Sequence, residues 1–73
     1  MIIASFMDLT LDVHIRVECR RVTVTLVEYK LVYVKITTGE LVLCQPFFER
    51  PAVENHFREI VEDLILKQRG TVQ

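Results

Sequence analysis

Apolar and polar residues alternate with a period of two over the first quarter of the chain. The odd positions read Ile3, Ser5, Met7, Leu9, Leu11, Val13, Ile15, Val17 and Cys19, and every even position from Asp8 to Arg20 is polar. Successive side chains of a strand point to opposite faces, so the pattern predicts a strand over 9–18 with one buried face. Residues 1–7 extend that strand or form a separate arm. The parity then switches: Val22, Val24 and Leu26 are apolar on even positions, which predicts a turn at Cys19, Arg20 and Arg21 and a second strand over 21–27. Residues 22–38 are rich in Val, Thr, Tyr and Ile, too long a run for one ordinary strand. The charges at Glu28 and Lys30, around Tyr29, mark the break, with a third strand over 31–37; one bent strand across 22–38 is the alternative.

The best hairpin signal is Thr37, Thr38, Gly39 and Glu40, where Gly39 can take the positive φ that a tight loop needs. A fourth strand follows over 41–45, ended or confined to an edge by Pro46. From Pro51 the period changes to that of a helix. Val53, Phe57, Ile60, Val61 and Leu64 recur at three- and four-residue spacing, while Glu54, Arg58, Glu59, Glu62 and Asp63 take the other side. Pro51 suits a first helical turn, Glu54 with Arg58 and Asp63 with Lys67 are favourable i,i+4 pairs, and Gly70 is a good stop. The helix is expected over 51–69, with 71–73 fraying. The fold class is α+β: a small antiparallel sheet of three to four strands, connected as a meander, with one C-terminal amphipathic helix packed on one face.

Composition adds bounds. Seventy-three residues, 51% hydrophobic and 26% charged, make one small globular domain over 1–73 with a thin core. A formal net charge of −1 provides no overall attraction to nucleic acid or anionic membrane. No run is long enough to span a bilayer, and the opening residues lack a basic region before their apolar stretch. Cys19 and Cys44 have no metal-ligand or redox spacing and are expected to be small buried hydrophobes. A cytoplasmic protein without cofactor or metal is the expectation.

Candidate function rests on surfaces. With Val22, Val24, Leu26, Val32, Val34 and Ile36 facing the helix, Val27, Tyr29, Leu31 and Tyr33 would face away as an interface patch, with self-association its simplest use. Leu66, off the helical stripe, is a second exposed candidate. The alternative is a nucleic-acid face in which Arg16, Arg21 and Lys35 meet phosphates while Tyr29 and Tyr33 stack on bases. A third reading takes Asp12, Glu28 and Lys30 as the divalent-metal site of one nuclease superfamily, whose acidic residue followed by Glu-x-Lys they resemble. The ordinary account of those three, solvated charges at strand ends, weighs far more heavily. His14 and His56 lack the paired spacing of a structural zinc site, and Ser5, the only serine, has no identifiable catalytic partner. The sequence thus favours a non-enzymatic protein-interaction module, a homodimeric regulator, inhibitor or accessory protein whose other partner it does not identify.

Overall fold

The computed structural model describes residues 1–70, with side-chain surroundings for 1–68; the expected fraying of 71–73 lies outside the described residues. Strands β1 (Ile2–Asp8), β2 (Val13–Arg21), β3 (Val27–Lys35) and β4 (Leu41–Phe47) precede helix α1 (Arg50–Gly70). The sheet is antiparallel in the order β1-β2-β3-β4, a meander, with α1 against one face. This is the α+β architecture that the change of period implied.

The strand boundaries differ from those expected. The alternation from Leu9 to Asp12 is not strand but the turn between β1 and β2. Two aspartates make it: Asp8 Oδ1 accepts from the Leu11 amide at 3.1 Å, and Asp12 sits at φ 58°. Aspartate bends the chain by bonding nearby amides and tolerates the left-handed region better than most residues. Residues 1–7 therefore do not extend β2; they are a separate segment, a strand that folds back on it. Met1 donates to the Cys19 carbonyl at 3.0 Å, and the Cys19 amide donates to Met1 O at 2.7 Å.

The turn expected at Cys19, Arg20 and Arg21 is instead the end of β2, and the strand expected over 21–27 is largely loop. There the Val22 amide donates to Leu26 O at 2.9 Å and the Leu26 amide donates to Thr23 Oγ1 at 3.0 Å. A threonine hydroxyl thus closes a hairpin that carries no Gly or Asn. Glu28, Tyr29 and Lys30 do not break a strand; they lie inside β3. The hairpin at Gly39 is as the sequence implied, with φ 72° and its amide donating to Lys35 O at 2.8 Å.

Register determines which face of β3 is buried. Val17 lies opposite Leu31, Ile15 opposite Tyr33 and Cys19 opposite Tyr29, and directly opposed residues share a face. Val13, Ile15, Val17 and Leu31 form the core with Val53 and Leu64 of α1; Phe57, Ile60 and Val61 pack around them, so the whole predicted helical stripe faces the sheet. By contrast Val34 takes the open face opposite His14, and Val24 is 90% exposed in the β2–β3 loop. Both were expected under the helix. Of the helical pairs, Asp63 with Lys67 forms at 3.5 Å, whereas Glu54 pairs with Arg50 and Arg58 donates to Asn55.

The molecule is spread out. Its Cα radius of gyration is 13.5 Å, against about 11 Å expected for a compact chain of this length.

The burial contrast along α1 gives a direct stability test. Leu64→Ala, at a core position, should cost about 2–5 kcal/mol in urea unfolding, whereas Leu66→Ala, 64% exposed, should stay within about 0.5 kcal/mol. Equal effects would place the wrong stripe against the sheet.

Acid sensitivity gives a second test. Asp12 joins two hairpins: Oδ1 accepts from the Thr37 amide at 2.8 Å and Oδ2 from the Thr37 hydroxyl at 2.7 Å. The hydroxyl bond first, then the amide bond, hold the Asp12 carboxyl below its ordinary value. A carboxylate with a lower pKa folded than unfolded stabilises the protein above the unfolded pKa, and that stability is lost as pH falls through the folded one. Asp12→Asn, which keeps an acceptor and tolerates positive φ, should therefore flatten the loss of stability below about pH 4. An unchanged acid slope in the variant would show that this clamp is not ionic.

Candidate functional site

The four residues expected to form an outward interface do not lie on the open face. Leu31 is fully buried in the core, and Tyr29 and Tyr33 pack against that core from the same side of β3. Val27, directly opposite Arg21 at the end of the ladder, shares their parity. The error has a simple cause: β3 is apolar on both parities, so the face that meets the helix is set by pairing with β2 rather than by alternation.

The open face carries charges at one end and apolar residues along its margins. Arg16 donates to Glu18 along β2, and Arg20 reaches Glu28 directly across the ladder at 3.3 Å. The Arg16 guanidinium, by that hydrogen bond, holds the Glu18 carboxyl below its ordinary value. Glu18 and Lys30 also oppose each other, and with Arg20 and Glu28 they line a shallow depression of about 140 Å³. Ligand pockets usually enclose about 300–1,000 Å³ with a mostly apolar lining. This depression is smaller, and its charges balance one another. Val32 is buried within the open face, opposite Arg16 and Cys44.

The proposed nucleic-acid set is divided by the same register. Arg16 takes the open face, whereas Tyr29, Tyr33 and Lys35 have the helix-facing parity and Arg21 lies at the far end of β2. Lys35 pairs with Glu40 at 3.6 Å. The five residues therefore do not combine into one basic, aromatic platform.

The nuclease-like set is separated along the sheet. Asp12 precedes Val13, which pairs with Lys35, while Glu28 pairs with Arg20 at the opposite end of the same ladder. Eight residue steps put Asp12 and Glu28 on the order of 26 Å apart, and each is already bonded, Asp12 to Thr37 and Glu28 to Arg20. The cysteines are also apart: Cys19 shares the parity of Tyr29, and Cys44 shares that of Val32. Cys44 is exposed rather than buried. His14 lies on the open face, while the His56 ring meets Phe47 at a tilt of 44° with ring centres 5.7 Å apart.

The feature that sequence reasoning missed is the edge made by β1. Ile2–Asp8 contains no charge before Asp8 and no proline or glycine, and among the described residues it has β2 on one side only. Ile2 and Met7 are 57% and 62% exposed. The Asp8, Thr10 and Asp12 cluster was the available signal, since closely spaced aspartates favour a turn over a continuing strand. At the opposite edge, β4 carries Pro46 and the bulge at Val42. Among the described residues no helix is long and apolar enough to cross a membrane.

Compared with known proteins, the chain matches no family model, no curated protein and no solved structure.

Proposed function

We propose that this protein is a non-enzymatic interaction module that works by surface contact, as a small regulator, inhibitor or accessory subunit. The observation that carries the reading is the distribution of exposed apolar surface. Ile2 and Met7 on one sheet margin and Leu41 and Val42 on the other are 49–62% exposed, while most of the charges between them are satisfied by one another. Exposed apolar groups at a sheet margin gain from being covered, and their burial is worth roughly 25 cal/mol per Å² removed from water. Charges that are mutually paired offer little to a polyanion, because phosphate binding depends on cations free to displace counterions.

Two measurements test this. Titration with random DNA or RNA at physiological salt should give a dissociation constant no tighter than ~10⁻⁴ M. Affinity capture from the cells that make the protein should recover a protein partner at fixed stoichiometry, unaffected by nuclease. Submicromolar nucleic-acid binding that falls by decades as salt rises would replace the proposal with the nucleic-acid reading.

A further inference from the structure

We infer that β1 pairs antiparallel with β1 of a second copy of this chain about a two-fold axis at Ser5, making one continuous eight-stranded sheet. The inference rests on the interaction reading above and names its partner. An edge strand leaves every second N–H and C=O without a neighbour, and soluble proteins normally protect such an edge with charge, proline or a cover. Ile2–Asp8 has no charged residue before its last position and no proline. The core of α1 packs chiefly over β2 and β3, leaving Ile3, Ala4 and Phe6 only half-buried.

What favours a second copy is self-complementarity. An isologous contact sets a patch against itself, so any charge near the axis would meet its like. Between Ile2 and Met7 there is none. With the axis at Ser5, the two Ser5 side chains meet on the open face, and on the helix side Ala4 lies opposite the partner's Phe6. A small residue facing a large one fills the layer without overlap. The two Asp8 carboxylates fall six residues apart along the paired strands, roughly 20 Å, well beyond the ~8 Å screening length at physiological salt. Both edges carry an irregularity, at Ile3 in β1 and at Val42 in β4, so the difference between them is Pro46, which removes a donor from β4. The β1 irregularity leaves the Ala4–Phe6 segment around the axis regular.

Sedimentation equilibrium from micromolar to hundreds of micromolar, on the full chain, tests the pairing. The expected result is a reversible monomer–dimer equilibrium. Ser5→Lys sets two lysines face to face on the axis and should raise the dimer dissociation constant by roughly fivefold; adding Met7→Lys should raise it by roughly tenfold or more. Both positions are exposed. Val24→Lys, in the distant loop, should change nothing. Should a β1 variant fail to fold, hydrogen exchange of the wild-type protein decides: outward-pointing β1 amides should slow as concentration rises. A monomer at hundreds of micromolar, a dimer indifferent to the double variant, or exchange independent of concentration would each overturn the pairing. A monomer that still captured a protein partner would remove the dimer and leave the interaction reading standing.

Discussion

One helix has to cover one face of a four-stranded sheet, and it is too narrow to do so. A helix with its side chains is about 10–12 Å across, whereas four strands at about 4.8 Å spacing span roughly 15–19 Å. Most of the burial pattern follows from this mismatch. The residues of that face that reach full or near-full burial, Val13, Ile15, Val17 and Leu31, all belong to the central strands β2 and β3. Those of β1 and β4 on the same face, Ala4, Phe6, Leu43 and Phe47, stop at half-burial. Hence two margins where apolar side chains meet water.

The open face handles the same constraint differently. Among the described residues no layer covers it, and its charged side chains pair with one another. Arg16 is bonded to Glu18 along β2, and Arg20 to Glu28 across the ladder. Such exposed pairs contribute little stability, at most about 1 kcal/mol each. Their larger effect is to leave an open face with little free charge, so that the exposed apolar groups lie at the margins of the sheet.

The two hairpins at the Asp12 end show how a small chain stiffens without a large core. Asp12 accepts two hydrogen bonds from Thr37, and the Ile36 amide donates to Asp12 O at 3.4 Å. The β1–β2 and β3–β4 connections are thereby joined across the end of the sheet. A residue that could be read as half of a metal site is occupied as a structural clamp. The chemistry-bearing types in this chain are mostly used in this way: His56 against Phe47, Glu28 against Arg20, and Lys35 against Glu40.

Local pattern was enough for the fold class, the helix with its buried stripe from Val53 to Leu64, the Gly39 hairpin and the meander order. Each depends on near neighbours in the chain: a 3.6-residue repeat, a glycine at positive φ, or connections too short for a crossover. The same pattern misled wherever a long-range pairing had the last word. Leu9 and Leu11 continue the alternation into a turn, because two aspartates bend the chain there and β1 returns along β2. Alternating Val and Thr over 22–26 has strand propensity but closes a loop. The candidate interface failed for the same reason, since both parities of β3 are apolar and only the contact of Leu31 with Val17 selects the buried one. In a sheet, a shift of one residue exchanges the two faces, and nothing within β3 encodes its register. That choice is made between strands, by the core that forms when α1 lies down over β2 and β3.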